Sequence, residues 1–136
     1  MSKLKTYIVE DSPVIRENLI ATLEELAPVM VVGTADTEAA ATYWLGRNVD
    51  GCDLVIIDIF LKNGSGLGVL ASPTLKLTGA KVVILSNYAT ADMRRKCLEL
   101  GADRVFDKSN EIDSLVSYCT RQADERDAGT RAASGR

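Results

Sequence analysis

Five short runs of apolar, mostly β-branched residues recur along this chain, and helix-like segments separate them. The runs are Tyr7–Val9, Val29–Val32, Leu54–Ile57, Lys81–Leu85 and Val105–Phe106. Their hydrophobicity is continuous rather than alternating, which is typical of strands buried on both faces of a parallel sheet. A β-α alternation repeated five times predicts an α/β fold with right-handed crossover connections.

The segments between these runs carry helix signals. Ser12 is a predicted N-cap with Pro13 at the first helical position, and Pro28 ends that helix. A second helix is predicted from Asp36 to about Leu45. A third, short helix follows Gly66.

Later segments carry similar signals. The third helix is interrupted near Pro73, because proline disrupts a helix interior. Thr90 is the predicted N-cap of a fourth helix. The basic run 94–96 of this helix is interpreted as a solvated face. The last helix opens near Ser109 or Asn110.

The bulk composition limits the possible classes of protein. The 136 residues suffice for a single domain, predicted over 1–124, with a polar, disordered C-terminal tail over 125–136. The net charge of −3 gives no reason to expect nucleic acid or a membrane surface as a partner. No apolar run approaches the ~18 residues of a membrane span, and a signal-peptide core is lacking, so a cytoplasmic location is expected.

Histidine and cysteine usage excludes several chemistries. The chain contains no histidine, which removes Ser-His and Cys-His nucleophile activation and histidine metal ligation. Cys52, Cys97 and Cys119 form an odd, widely spaced set, so a disulfide framework is not expected.

Polar residues follow four of the five predicted strands. Glu10 and Asp11 follow the first, Asp58 the third, Ser86 the fourth, and Lys108 stands just beyond the fifth. Ligands of open parallel sheets bind beyond the carboxyl ends of the strands, so these side chains are expected at one site. Taken singly, each has a structural alternative as a helix cap, a turn residue or a surface lysine. Their joint placement favours a functional site.

Three neighbouring carboxylates repel one another unless a cation offsets their charge. An all-oxygen, carboxylate-rich pocket suits Mg²⁺. A lysine and a hydroxyl opposite it would meet phosphoryl oxygens, and an aspartate can act as a nucleophile and form an acyl phosphate. The set therefore predicts a phosphoryl-transfer site centred on an aspartate.

From about residue 5 to 122 the sequence resembles the receiver domains of bacterial two-component response regulators. The matching stretches are Ile8-Val9-Glu10-Asp11-Ser12, Leu54-Val55-Ile56-Ile57-Asp58, Gly64-Ser65-Gly66-Leu67, Val83-Ile84-Leu85-Ser86, and Gly101-Ala102-Asp103 leading to Lys108. The resemblance implies a flavodoxin-like (βα)5 doubly wound parallel sheet with strand order 2-1-3-4-5.

The resemblance also implies roles for individual residues. Asp58 would be the phosphoacceptor, with Asp11 as a direct Mg²⁺ ligand, Glu10 as a ligand through water, and the backbone carbonyl of Phe60 as a further ligand. Ser86 would move to bind the phosphoryl group.

The resemblance pairs Lys108 with the phosphoryl group, and it places the rings of Phe60 and Tyr88 beside the approach to phosphorus. The implied donor is a phosphohistidine on a histidine kinase or phosphotransfer protein, and a downstream protein is the expected target. The chain would catalyse only its own phosphorylation and autodephosphorylation.

Three positions depart from the family pattern. Ser109 stands where the family often has a proline with a cis peptide, and Asn87 stands where a small residue is usual. Val105 occupies the position of the switch aromatic, while Phe106 should face the other side of its strand. These departures concern the switching readout rather than the phosphorylation chemistry.

The favoured hypothesis is a stand-alone receiver that switches a protein-interaction surface. One alternative is a pseudo-receiver, which is regulated by contact without phosphorylation. Another is a small aspartate-nucleophile phosphatase, although such enzymes place a second aspartate where this chain has Phe60. A flavodoxin-like FMN binder is disfavoured, because the carboxylates would repel its phosphate.

Overall fold

The computed structural model of the chain describes residues 2–134, with side chains described through residue 129. Five strands form one parallel sheet in the order β2-β1-β3-β4-β5, which confirms the predicted α/β class and strand order. The elements in chain order are β1 Leu4–Val9, α1 Pro13–Leu26, β2 Val29–Ala35, α2 Glu38–Arg47, β3 Leu54–Ile57, α3 Gly66–Leu70, α4 Pro73–Thr78, β4 Lys81–Ser86, α5 Ala91–Glu99, β5 Arg104–Asp107 and α6 Ile112–Ser134.

Strands β1, β3 and β4 are buried on both faces for most of their length, as their continuous apolar runs predict. The edge strand β2 is only partly buried, which differs from that prediction, because it has a neighbouring strand on one side only. One face of the sheet packs against helices α2 to α5, and the other packs against α1 and α6. Val105 belongs to the first core and Phe106 to the second, so the two residues face opposite sides of β5 as predicted.

Local capping chemistry sets several helix starts. The Ser12 side chain accepts a hydrogen bond from the Ile15 amide at 3.3 Å, and Pro13 is the first residue of α1. Thr90 accepts from the Met93 amide at 3.2 Å and begins α5. Both caps were predicted from the sequence, because a side-chain oxygen at this position satisfies an otherwise unpaired helix amide.

Other helix boundaries differ from the prediction. Helix α2 begins at Glu38 rather than at Asp36, because the Thr37 side chain caps it. The predicted third helix is two short helices, and Ser72 caps the second of them with Pro73 at its first position. Proline therefore starts a new helix here instead of merely interrupting one.

The last helix begins later and ends later than predicted. The turn before it is bonded to the Asp107 carboxylate, which accepts from the Ser109 and Asn110 amides. Helix α6 then continues to Ser134, which corrects the disordered tail predicted from residue 125 for the stretch 125–134. Residues 135–136 lie outside the described part.

Tertiary contacts account for this longer helix. Ala123 is buried against the sheet, and one turn later the Arg126 guanidinium lies 2.7 Å from the Asp53 carboxylate. These contacts hold the helix beyond the point where its apolar periodicity ends. None of the helices within residues 2–134 is long and apolar enough to cross a membrane.

Candidate functional site

The carboxyl edge of the sheet brings the predicted polar residues together. Glu10 and Asp11 follow β1, Asp58 follows β3, Ser86 is the last residue of β4, and Lys108 follows β5. One carboxylate oxygen from each of the three acids lies within 4.8 Å of the others. The parallel topology thus assembles a cluster from residues that are far apart in sequence.

Lys108 lies inside this cluster rather than on the surface. Its Nζ atom donates to Glu10 Oε1 at 2.5 Å and lies 3.1 Å from Asp58 Oδ2. Its side chain is only 10% exposed. Burial by itself lowers the pKa of Lys108, but the two carboxylates outweigh that effect and raise the pKa above its ordinary value. The lysine therefore stays a cation in the pocket.

Asp58 is a buried carboxylate with a perturbed pKa. Its pKa is raised from 3.8 to about 6, chiefly by burial and also by the Glu10 carboxylate, which together outweigh the lowering effects of Lys108 and of the Phe60 amide. Separately, the pocket holds three carboxylates against the single lysine. Such an environment favours an additional cation near Asp58.

The other two acids are held by backbone amides. Glu10 is nearly fully buried, and its Oε2 atom accepts from the Ser12 amide at 3.1 Å. Asp11 Oδ2 accepts from the Lys62 amide at 2.7 Å, which connects it to the loop after β3. These bonds orient the carboxylates without neutralising them.

The loop after β3 folds back over Asp58. Phe60 pairs with Ser65 in an isolated antiparallel bridge, and the Gly66 amide donates to the Ile59 carbonyl at 2.8 Å. A Cβ atom at position 66 would lie 2.0 Å from the Asp58 carbonyl oxygen, so only glycine fits there. This close approach explains the glycine that follows Ser65 in the sequence.

Ser86 and two aromatic rings border the pocket on the side of the loop after β4. Ser86 is fully buried, and its hydroxyl accepts from the Tyr88 amide at 3.0 Å. The Tyr88 ring packs edge-on against Phe60 with a centroid distance of 5.3 Å. Both rings are more than half exposed, so this aromatic pair lies between the loops after β3 and β4 and faces solvent.

The structure describes the surroundings of two of the departures from the family pattern. No cis peptide bond occurs among the described residues, so the bond between Lys108 and Ser109 is trans. Val105 is buried in the core beneath α5 and presents no ring to the surface.

Sequence reasoning missed the role of Arg94. Its guanidinium donates to the Ala89 carbonyl at 3.0 Å and to the Val105 carbonyl at 2.8 Å, and pairs with Glu111 at 2.5 Å. It therefore joins the loop after β4 to β5 and to the residue before α6. A basic run on a predicted helix gives no signal that distinguishes this residue from its solvated neighbour Arg95.

Comparison with known families agrees with this geometry. Residues 6–120 match the family model of the response regulator receiver domain. The chain therefore belongs to the response regulator receiver domains.

Curated relatives include a putative transcriptional regulator of Pseudomonas aeruginosa, which is 33% identical over 113 residues, covering 82% of this chain and 53% of the relative. The transcriptional regulatory protein MalR of Bacillus subtilis is 26% identical over 123 residues, covering 88% of this chain and 52% of MalR. The chain thus spans about half the length of the curated relatives it matches. The stand-alone organisation expected from the sequence stays a prediction.

Solved structures share the fold. The receiver domain of the putative response regulator NarL from Mycobacterium tuberculosis superposes with a TM-score of 0.76 at 24% identity, covering 89% of this chain and 98% of that one. A chain in the complex of the CheA3 P1 domain with CheY6 from R. sphaeroides gives a TM-score of 0.65 at 29% identity, covering 79% and 84%.

Proposed function

We propose that this chain is a phosphorylation switch in which Asp58 accepts a phosphoryl group in a Mg²⁺-dependent reaction. The observation that carries the proposal is the buried contact of Lys108 with Asp58 and Glu10 inside a cluster of three carboxylates. A fold can host many functions, so the proposal rests on this combination of acids and a buried cation, which supplies the groups that phosphoryl transfer to an aspartate needs.

The donor chemistry of the cluster fits Mg²⁺. The carboxylates of Glu10, Asp11 and Asp58 supply oxygen ligands only, and the backbone carbonyl of Phe60 would supply another. A bound Mg²⁺ would offset the charge of the cluster and of the incoming phosphoryl oxygens. Burial is the main cause of the raised pKa of Asp58, and a bound cation would favour the ionised carboxylate that the reaction needs.

The transfer itself rests on residues of this chain. An Asp58 carboxylate oxygen forms a bond to phosphorus while the phosphorus–nitrogen bond of a donor phosphohistidine breaks, and the electron pair stays on the histidine nitrogen. Lys108 would exchange a carboxylate partner for a phosphoryl oxygen, and Ser86 would donate its hydroxyl hydrogen to another. The Lys108 ammonium and the Ser86 hydroxyl would thus stabilise the negative charge of the phosphoryl oxygens that enter the pocket.

The proposed donor is a histidine kinase or phosphotransfer protein, and the lack of histidine in this sequence is consistent with a phosphohistidine on another protein. The likeness to a chain from the CheA3 P1–CheY6 complex supports a partner of this kind. The proposal includes a cytoplasmic location and a downstream protein as the target of the switched surface.

A pseudo-receiver would not need this pocket intact. In this chain the acids, the lysine and the serine are all present, and Lys108 is buried against two of the acids. We therefore retain phosphorylation as the regulated step.

Mass spectrometry after incubation with acetyl phosphate and Mg²⁺ tests the proposal. One phosphoryl group should be added to the wild type, and none to Asp58→Asn or in EDTA. The exposed Asp50→Asn is the matched control and should be labelled like the wild type. Equal labelling of Asp58→Asn would reject Asp58 as the acceptor.

A further inference from the structure

Glu38 lies outside the carboxylate cluster but contacts the loop that borders it. It is the first residue of α2, and its Oε1 atom accepts from the Ser65 amide at 2.9 Å. Its own amide donates to the Asn63 carbonyl at 3.1 Å. The start of α2 and the loop after β3 are therefore joined by hydrogen bonds in both directions.

This contact secures one side of the loop, and Asp11 secures the other. The Asp11 carboxylate accepts from the Lys62 amide at 2.7 Å. Ser65, which Glu38 anchors, also pairs with Phe60 in an isolated antiparallel bridge. A shift of the Ser65 end would therefore be passed to Phe60 through the bridge.

Two glycines leave room for the Glu38 side chain. Gly64 has a φ angle of +82°, and a Cβ atom there would lie 2.4 Å from the Glu38 Cβ. A Cβ atom at Gly68 would lie 2.4 Å from the Glu38 carboxylate, and the three nearest atoms to that position all belong to Glu38. The backbone of the loop and of α3 is thus packed directly on this carboxylate.

We propose that Glu38 is a positioning residue for the Mg²⁺ site. Its carboxylate holds the loop from Phe60 to Ser65 in the arrangement that presents the Phe60 carbonyl to the cation. The inference rests on the proposed function and adds a residue that touches neither the metal nor the phosphoryl group.

The test is a Mg²⁺ titration of the unphosphorylated protein, followed by amide chemical shifts in NMR. Glu38→Ala should bind Mg²⁺ three- to tenfold more weakly, because the Ser65 amide loses its acceptor. Glu38→Gln keeps an oxygen acceptor and should stay within twofold of the wild type. Glu25→Ala, an exposed glutamate near the end of α1, is the matched control and should not change the affinity.

Labelling kinetics separate positioning from chemistry. With acetyl phosphate, the half-saturating Mg²⁺ concentration of Glu38→Ala should rise by the factor seen in the titration. Its rate at saturating Mg²⁺ should stay within twofold of the wild type. A lower rate at saturation with unchanged affinity would overturn the assignment.

Gly68→Ala provides an independent perturbation, since its methyl group displaces the carboxylate without deleting it. It should weaken Mg²⁺ binding like Glu38→Ala and have no further effect when added to Glu38→Ala. Wild-type affinity in both folded single variants, or additive losses in the double variant, would reject the inference. If Glu38→Ala does not fold, the other two variants test the inference. Weaker Mg²⁺ binding by Gly68→Ala with near-normal binding by Glu38→Gln would support it, and wild-type affinity of Gly68→Ala would reject it. Failure of the wild type to be labelled at Asp58 would instead reject the proposed function itself.

Discussion

Replacement of Asp58 by asparagine should stabilise the fold at neutral pH in the absence of Mg²⁺. The Asp58 side chain is 8% exposed, and its pKa is raised, chiefly by burial, from 3.8 to about 6. The folded protein therefore binds more protons than the unfolded chain between these two values. Stability present below pH 4 is lost as the pH rises through this window and the buried carboxyl ionises.

The difference between the two pKa values sets the size of the effect. A separation of 3.8 and about 6 corresponds to about 3 kcal/mol of unfolding free energy at the upper limit. Asparagine removes the buried charge but also removes one partner of Lys108, which keeps its contact with Glu10. A gain of roughly 1–3 kcal/mol above pH 6 is therefore expected for Asp58→Asn.

Urea denaturation of both proteins in EDTA, from pH 4 to pH 8, measures this gain. The difference in unfolding free energy should be small near pH 4, grow up to about pH 6, and then stay level. Added Mg²⁺ should reduce it at pH 7, because the cation stabilises the wild type. The exposed Asp50→Asn control should change stability by less than ~0.5 kcal/mol throughout. A difference independent of pH, or a less stable variant at pH 7, would refute the reasoning.

Three further predictions concern the phosphorylated state. Phe60→Asn and Tyr88→Ala should each speed autodephosphorylation, because the aromatic pair hinders the water that attacks in line with the breaking bond. A barrier lowered by ~1.4 kcal/mol would give a ~tenfold faster decay, and unchanged decay in the double variant would contradict this. Lys108→Ala should bind Mg²⁺ nearly normally but should suppress the NMR response to beryllofluoride. A wild-type response would show that the lysine does not recognise the phosphoryl group. Beryllofluoride should shift amides throughout 87–100 without any switch aromatic, since Arg94 ties this region to β5; shifts confined to the pocket would argue against such a route.

The sequence by itself determined the elements and the edge at which the site forms. Continuous apolar runs specify doubly buried strands, and side-chain caps such as Ser12 and Thr90 specify helix starts through bonds spanning only three residues. Once the sheet is parallel, residues that directly follow strands must share one edge. Glu10 and Asp58 were predictable as neighbours for that reason.

Only the tertiary structure decided how the site residues contact one another. Lys108 bonds to Glu10 across 98 positions of sequence, and Glu38 reaches Ser65 across 27. Such contacts depend on the distances between elements that are not consecutive, and no periodicity or capping pattern encodes those distances. The contacts of Arg94 were unpredictable for the same reason. The basic run that contains Arg94 is equally typical of a solvated helix face.

The end of α6 illustrates the limit most directly. Its apolar periodicity fades near residue 124, so local propensity predicts a tail there. The folded chain places Asp53, which immediately precedes β3, within reach of Arg126, and buries Ala123 nearby. Helices in proteins gain most of their stability from such packing rather than from propensity, which is why the sequence alone did not predict this extension.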